Sequence, residues 1–291
     1  MAPSPYRSIL EAIDNMTIHI RTTLLALALA TVSLHAAAHR PWLLPQQTNV
    51  EGKESWVTID GAISEGLFDI DHQALKLDGA IVTDPDGANS SAPTPVMGKQ
   101  RSSFDLKLTK TGTYKVSLVN SAVMASYKEA GGTEVKRFRG LEADLAKAIP
   151  AGATGVRTMR TMNRLETFVT ANRASTGALK PSGVGLEMVP VTHPTDMRSG
   201  ETATWRFQLD GKPLPNFAFS LTPGGVRYRG VLGEQRLATD AKGETSVKLP
   251  APGMYWLHAT YPASMEKGMP ETGPADIRRF SYAATLEILP E

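Results

Sequence analysis

The stretch Gly112-Thr-Tyr-Lys-Val-Ser-Leu118 is the clearest strand signal in this chain. Tyr114, Val116 and Leu118 alternate with polar residues, so a strand of period two places all three on one face. The preceding segment, residues 100–109, is separated from it by a short polar turn and is predicted to be a second strand. Short strands punctuated by glycine and proline are typical of a β-sandwich. We therefore predict an all-β fold.

The same signals continue upstream. The segment Ser55-Trp-Val-Thr-Ile-Asp60 alternates in the same way. Asp84-Pro-Asp-Gly87 predicts a turn, because proline fixes φ and glycine tolerates the left-handed conformation. Between these two segments, Phe68, Ile70 and His72 share one side of an extended chain. We therefore predict that His72 points inward.

The regular spacing of strands is interrupted over residues 128–164. Leu141, Leu145 and Ala148 recur at helical spacing, and Pro150 ends that run. Basic residues are frequent in this segment, but acidic residues are interspersed among them. This mixture favours a solvated face over an anion-binding site. We predict an insertion or crossover that contains one short helix.

The rest of the chain predicts a second sandwich. Residues 172–183 contain Ser, Gly and Pro, as a linker does. About seven strand signals follow, the number found in one immunoglobulin-like sandwich. We therefore predict two immunoglobulin-like or transthyretin-like β-sandwich domains in tandem, with a short helical insertion in or after the first. The predicted bounds are a leader over 1–38, a first sandwich over 39–175 with the insertion over 128–164, a linker over 176–183 and a second sandwich over 184–291.

The N-terminal segment has the features of a cleaved secretory signal. Its apolar run, residues 24–34, is shorter than the roughly 18 residues that a membrane-spanning helix needs. Ala36 and Ala38 form the small-residue site that signal peptidase reads. Met16 is a more ordinary start than Met1, because acidic residues lie between the two. We expect export, to the periplasm if the source is Gram-negative, and no membrane span in the mature chain.

Composition excludes several classes of function. The formal net charge is +2, with 31 Lys and Arg against 29 Asp and Glu, so no nucleic-acid partner is expected. The chain has no cysteine, which excludes disulfides, thiolate metal sites and thiol catalysis. Metalloprotease, nucleophile-elbow, P-loop and dinucleotide-binding motifs are absent from the sequence. We therefore predict that the protein is not an enzyme.

One pattern does point to chemistry. If cleavage follows Ala38, His39 becomes the first residue of the mature chain. Its α-amine and its imidazole can then close one chelate ring on copper, nickel or zinc. Pro41 has no N–H, so the chain cannot continue around the metal with deprotonated amides. Any further ligand must come from elsewhere in the fold.

His72 is the best candidate for that further ligand, and the adjacent Asp71 is a candidate to bind the metal or to orient a ligand. The alternative is that His39 is solvated at a frayed end and that His72 is satisfied by a backbone carbonyl at the edge of the core. For His193 and His258 we favour structural roles, in a turn and in cross-strand packing. The predicted metal residues are thus His39, His72 and Asp71, and the metal is nickel or copper.

Seven motifs occur in an order that resembles a known family. They are His39-Arg-Pro-Trp-Leu-Leu-Pro45, Asp71-His72, Asp84-Pro-Asp-Gly87, Glu187-Met-Val-Pro190 followed by His193-Pro194, Asp210-Gly-Lys-Pro-Leu214, Thr239-Asp-Ala-Lys-Gly243 and Pro252-Gly-Met-Tyr255. Together they are similar to a bacterial periplasmic family of unknown function related to the periplasmic subunit of nickel transport complexes (NikM-like). The second half also resembles the carboxypeptidase-regulatory, transthyretin-like domain.

The resemblance implies a secreted β-sandwich protein associated with uptake or handling of nickel, cobalt or copper. His39 matches the histidine that often follows the cleavage site, and His72 matches a histidine preceded by an acidic residue. The chain has Arg40 where the family more often has an acidic residue. A separate metal transporter component of the inner or outer membrane is the implied partner. The alternative function is a non-catalytic interaction module that binds a protein or a glycan.

Overall fold

A computed structural model describes residues 39–265 and 274–291. The leader expected over residues 1–38 lies outside the described residues. The N-terminal strands are β1 (Arg40–Pro45), β2 (Asn49–Val50), β3 (Ser55–Ser64), β4 (Gln73–Ala74), β5 (Ile81–Thr83), β6 (Asn89–Ser91), β7 (Val96–Met97), β8 (Ser102–Leu108), β9 (Gly112–Lys128), β10 (Val135–Gly140) and β11 (Thr154–Ala171). The later strands are β12 (Leu186–Pro190), β13 (Thr202–Leu209), β14 (Lys212–Pro213), β15 (Ala218–Pro223), β16 (Gln235–Ala238), β17 (Glu244–Lys248), β18 (Gly253–Tyr261) and β19 (Asp276–Ile288). Two short helices are α1 (Glu142–Ala148) and α2 (Val226–Arg229), with 3-10 turns at Gly177–Leu179 and Ala263–Met265.

The prediction of an all-β sandwich fold is confirmed, since strands make up 53% of the structure and helices 7%. The strands form three sheets. One has five strands in the order β1-β3-β8-β7, with β4 on β3. One has ten, in the order β16-β15-β18-β19-β11-β9-β5-β6, with β10 on β9 and β2 on β11. The third has four, in the order β12-β13-β14, with β17 on β13.

The ten-stranded sheet is shared by both halves of the chain. It is joined at its centre by parallel pairing of β11 with β19, from Thr158 opposite Asp276 to Thr167 opposite Thr285. Strands from the predicted first and second sandwiches are therefore hydrogen-bonded to each other in one sheet. The division into tandem domains stays a prediction.

Two hydrophobic cores lie on opposite faces of this sheet. Val116 and Val169 belong to the core that also holds Ile59 of the five-stranded sheet. Phe168, the neighbour of Val169, belongs to the other core, together with Trp205 of the four-stranded sheet. Because successive residues of a strand point to opposite faces, the ten-stranded sheet is the layer between the two cores. The predicted inward set of β9, Tyr114, Val116 and Leu118, is buried as expected.

Residues 128–164 are more regular than the sequence indicates. Helix α1 lies inside this segment, as predicted, but β11 already begins at Thr154, within the predicted insertion. Strand β10 pairs with the distal part of β9 and has an exposed side. The alternation in the first part of β11 is obscured because Arg157 and Arg160 take half-buried positions beside the buried Met159. Long cationic side chains can occupy such positions because their methylene stems pack while their charged ends stay near water.

The segment predicted as a linker packs closely on the fold. The hydroxyl of Ser175 accepts a hydrogen bond from the backbone N–H of Thr113 at 2.9 Å. A Cβ at Gly177 would lie 2.0 Å from the carbonyl oxygen of Pro85, so only glycine fits there. Segment 177–182 therefore runs directly over the edge of the ten-stranded sheet. In the described residues, no helix is long and apolar enough to cross a membrane.

Candidate functional site

The register of the five-stranded sheet brings the two predicted metal histidines to one place. Strand β1 runs antiparallel to β3, with Arg40 opposite Ser64, so His39 lies just beyond the end of β3. Strand β4 pairs with the same end of β3, with Gln73 opposite Ile63. His72 directly precedes β4. Two residues that are 33 positions apart in sequence therefore flank the same strand end.

The two imidazole rings are in contact. Their centroids are 4.1 Å apart and their planes are inclined by 20°, so the rings of His39 and His72 are stacked. The Nε2 atom of His39 lies 4.0 Å from a carboxylate oxygen of Glu65, which follows β3. About half of each of these two side chains is exposed, at 48% for His39 and 59% for Glu65. The site is thus a surface pair of imidazoles with one carboxylate beside it.

A network of hydrogen bonds holds the loop that carries Glu65 and His72. The buried indole of Trp42 donates to the hydroxyl of Ser64 at 2.8 Å, and that hydroxyl donates to the carbonyl of Gly66 at 2.6 Å. The carboxylate of Asp71 accepts from the backbone N–H groups of Glu65 at 3.2 Å and Gly66 at 2.9 Å. Asp71 therefore closes the loop on itself. In the structure Asp71 positions the loop. That it also binds a metal remains a prediction.

The expectation that His72 points inward is wrong, because His72 is exposed. Residues 65–72 form a loop and not a strand, and Phe68 has a left-handed φ of 64°, which breaks the period of two. The Phe68 ring meets Trp42 edge-on at 5.7 Å between centroids. A Cβ at Gly224 would lie 2.6 Å from the same ring. The loop is thus fixed between β1 and the turn after β15, and His72 is left at the surface.

The donor types at this site suit a transition metal. Imidazole nitrogens bind copper, nickel and zinc, and carboxylate oxygen is a common additional ligand. In the described part of the chain, no group of three or more His, Cys, Asp or Glu residues is arranged to hold a metal ion. Cleavage after Ala38 would add one further donor, the α-amine of His39. A metal lies in the plane of its imidazole ligand, so one stacked ring must rotate before both share an ion, and the exposed His39 has room to do so.

His193 uses both ring nitrogens inside the fold. Its Nε2 lies 3.1 Å from the Thr113 hydroxyl and 3.0 Å from the carbonyl oxygen of Ser175. Its Nδ1 lies 3.2 Å from the Thr195 hydroxyl. These contacts tie the turn after β12 to β9 and to the segment after β11. They leave His193 no free nitrogen for a metal.

His258 lies in a different environment. Its ring stacks on Trp256 with centroids 4.5 Å apart and planes inclined by 3°, and the Trp256 indole donates to the carbonyl of Pro41 at 3.1 Å. The pKa of His258 is lowered from 6.5 to about 4, mainly by burial and then by the charges of Arg279 and Arg40, while Glu234 acts in the opposite direction. The imidazole is therefore neutral in the folded protein near neutral pH.

This neutral histidine makes stability depend on pH. Between pH 6.5 and 4 the unfolded chain binds a proton at His258 while the folded protein does not, so stability is fully present above pH 6.5 and falls on acidification. We expect a loss of about 2–3 kcal/mol over this range. Urea unfolding of wild type and His258→Gln at about pH 7 and about pH 4.5 measures this loss in the free energy of unfolding. His72→Gln, which removes an exposed imidazole, is the control, and an equal pH dependence of wild type and His258→Gln would contradict the assignment.

One group of residues was not singled out by the sequence. Glu166 is 4% exposed and accepts hydrogen bonds from Ser117 at 3.1 Å, from Arg164 at 3.4 Å and from the Tyr282 hydroxyl at 2.9 Å. Glu187 lies 3.9 Å from the same Arg164. Glu166 is 116 positions from Tyr282 in sequence, so only the strand pairing reveals the cluster. The one available signal is the polar face of β9, on which Ser117 lies.

Comparison with solved structures gives low similarity. Escherichia coli alpha-2-macroglobulin activated by porcine elastase is 10% identical with a TM-score of 0.20. The match covers 87% of this chain and 30% of that one. The trypsin-activated form of the Escherichia coli protein is 10% identical with a TM-score of 0.22, over 87% of this chain and 23% of that one. The D0-D1 domain of Intimin is 12% identical with a TM-score of 0.22, and the match covers 85% of this chain and 97% of that one. At these TM-scores the similarities carry no argument about function.

The comparison with curated proteins finds no match. The comparison with family models does find one. It covers residues 36–263, which include the strands from β1 to β18, the loop with His72, and Arg164, Glu166 and Glu187 of the buried cluster. The chain therefore belongs to the family described as domain of unknown function DUF4198.

Proposed function

We propose that this protein is a non-catalytic metal-binding accessory protein that takes part in uptake or handling of nickel, cobalt or copper in the periplasm. The observation that carries the proposal is the contact between His39 and His72, whose rings are 4.1 Å apart. Two imidazoles that are distant in sequence meet at the surface beside a carboxylate. Such a set of donors favours borderline divalent ions, with copper the strongest on affinity alone.

The local charge also supports cation binding. The loop after β3 carries three carboxylates, Glu65, Asp69 and Asp71, within seven residues of chain. The one neighbouring cation at the start of β1, Arg40, donates to the carbonyl oxygen of Glu65 at 2.7 Å. The loop therefore keeps an excess of negative charge beside the imidazoles. This excess offsets part of the repulsion that Arg40 would exert on a bound ion.

The resemblance described above supplies the finer part of the proposal. The chain looks like NikM-like periplasmic proteins, and its second half looks like a carboxypeptidase-regulatory, transthyretin-like domain. Cleavage after Ala38 would place His39 at the mature N-terminus. We propose that the protein is exported and that a separate membrane transporter component is its partner. Its three sheets then act as a rigid support that holds one surface site.

The alternative function, an interaction module for a protein or a glycan, has less support. An exposed Trp42 would favour it, but the Trp42 ring is 1% exposed. Two other aromatic residues in the described residues are strongly exposed, Trp56 on β3 and Tyr228 on α2. Trp56 lies in the five-stranded sheet and Tyr228 lies on a short helix, so the two do not form a row of aromatic residues. The metal proposal therefore ranks first.

Substitution of His72 tests the proposal. We expect His72→Phe, which keeps a flat ring beside His39, to weaken Cu(II) and Ni(II) binding by at least about tenfold, or 1.4 kcal/mol. The ring contact survives in this variant and only the nitrogens are lost. Isothermal titration calorimetry on untagged protein, secreted and processed by its own signal, measures the affinity.

His258→Gln is the matched control, because it removes an imidazole that is stacked on Trp256 and is not one of the proposed ligands. Its metal affinity should equal that of wild type. Equal affinity of wild type and His72→Phe would contradict the assignment of His72. Thermal unfolding of each variant without metal establishes that the fold is intact.

A further inference from the structure

A second site lies on the opposite face of the ten-stranded sheet from the five-stranded sheet. It is a cavity of about 500 Å³ where segment 177–182 crosses β5, β9 and β11. The size is in the range that small-molecule sites occupy. Side chains of the central sheet line it, among them the polar Lys115 and Ser117 and the apolar Ile81 and Val119.

Strand pairing places these side chains in rows. Ile81 on β5 lies opposite Ser117 on β9, and Ser117 lies opposite Glu166 on β11. In the next row, Val119 lies opposite Arg164. Residues two apart on a strand point to the same face, so both rows face the cavity side. The arrangement is therefore fixed by the sheet and not by mobile loops.

Hydrogen bonds to protein groups hold the charged side chains on the sheet side of the cavity. Arg164 donates to Glu166 at 3.4 Å, to the Ser182 hydroxyl at 3.2 Å and to the Val184 carbonyl at 2.9 Å. Burial raises the pKa of Glu187, but hydrogen bonds from the backbone of Ser182, from Gln208 and from the Ser182 hydroxyl, together with the charge of Arg164, bring it below its ordinary value. Glu187 thus stays ionised, and Glu166 and Glu187 both accept hydrogen bonds from protein partners.

Lys115 differs from Arg164, because its ammonium donates only one hydrogen bond among the described residues. Its side chain is only 12% exposed and lines the cavity. Its ammonium lies 3.9 Å from Glu166, too far for a hydrogen bond, and its one hydrogen bond is a long one of 3.5 Å to the carbonyl of Lys180. An ammonium has three donors, and a largely buried one that makes a single long hydrogen bond gains from a further acceptor. By contrast, Lys110 nearby is paired with both Asp84 and Asp86.

The remaining features define the ligand. The charged side chains that line the cavity are those of Asp86, Lys115, Arg164 and Lys180, of which Asp86 is paired with Lys110 and Arg164 with the buried Glu166. Two apolar side chains that line the same cavity are partly exposed, Ile81 at 37% and Val119 at 41%. One weakly paired cation, Lys115, beside two partly exposed apolar side chains fits a molecule with one acid group and an apolar body.

We propose that this cavity binds a small organic monocarboxylate, whose acid group contacts the Lys115 ammonium and whose apolar body lies over Ile81 and Val119. The bond from ammonium to carboxylate is charge-assisted and is strengthened by the low exposure of Lys115. The apolar part gains from covering two side chains that water now contacts. The site lies apart from the His39 and His72 pair and does not depend on metal binding.

Benzoate is a suitable probe, with benzyl alcohol as its uncharged counterpart. We expect calorimetry on the full chain to show benzoate binding with a Kd below roughly 1 mM, and at least tenfold weaker binding of benzyl alcohol. Lys115→Gln, which keeps most of the side chain, should weaken benzoate binding at least tenfold. Val119→Asp, which places a like charge at a partly exposed position, should do the same even if Lys115→Gln folds poorly.

Two matched controls are available. Lys107→Gln removes an exposed lysine on β8, and Val135→Asp changes an exposed valine on β10, both outside the cavity. Both should bind benzoate as wild type does. The proposal is overturned if wild type shows no benzoate binding, if Lys115→Gln and Val119→Asp bind benzoate as tightly as wild type, or if benzyl alcohol binds as tightly as benzoate.

Discussion

Replacing Glu166 by Ala is expected to lower the free energy of unfolding by about 3–5 kcal/mol, because it leaves a buried cation with less compensation. Glu166 and Arg164 have side chains that are only 4% and 9% exposed. The substitution also removes the acceptor of the Tyr282 hydroxyl, which is fully buried. Urea unfolding at neutral pH measures the loss.

Two further variants separate charge from hydrogen bonding. Glu166→Gln keeps an acceptor for Ser117 and Tyr282 and removes only the charge, so its loss should be smaller than that of Glu166→Ala. Glu54→Ala removes an exposed carboxylate that is 3.8 Å from Lys107, and it should change stability by less than about 0.5 kcal/mol. If Glu166→Ala were as mild as Glu54→Ala, the buried cluster would contribute nothing to the fold.

Replacing Trp42 by Ala is expected to cost about 3–5 kcal/mol, as truncation of a fully buried aromatic ring does. Trp42 is 1% exposed, contacts Phe68 edge-on and donates to the Ser64 hydroxyl. The variant also frees the loop that carries His72, so we expect weaker metal binding in addition. Chemical unfolding and copper titration of the same variant measure both effects.

Trp42→Phe keeps one buried aromatic ring but loses part of the packing and the hydrogen bond to Ser64, so its expected cost is about 1–2 kcal/mol, less than that of Trp42→Ala. Trp56→Ala is the exposed control, since Trp56 is 52% exposed, and it should cost much less than Trp42→Ala. A Trp42→Ala variant that is as stable as wild type would contradict the role of Trp42 as the anchor of β1. Unchanged metal affinity in a folded Trp42→Ala would contradict the coupling between the anchor and the site.

The alternation of apolar and polar residues was sufficient to predict the fold class. Tyr114, Val116 and Leu118 form the inward set of β9, because a sheet with a covered face leaves a period of two in the sequence. The parallel pairing of β11 with β19 could not be predicted in this way. It joins Thr158 to Asp276 across more than a hundred residues, and no local pattern encodes which strands become neighbours.

The candidate site was only partly predictable. Residue type and position selected His39 and His72, but their contact depends on the register of β1 on β3 and on the left-handed φ of Phe68. Alternation placed His72 on an inward face, and the loop places it outside. The cavity at Lys115 was missed for a related reason. Polar positions on one face of a strand usually indicate solvent, and here segment 177–182 covers them.

The most direct test of metal binding compares two mature N-termini. Copper and nickel are titrated into protein that begins at His39, with the cleavage site confirmed by intact mass, and into a form that keeps one extra alanine before His39. If the His39 amine and ring anchor a metal together with His72, the first form binds tightly and the extra alanine abolishes that binding. Absence of binding in both forms, or equal binding in both, would contradict a metal site built on His39.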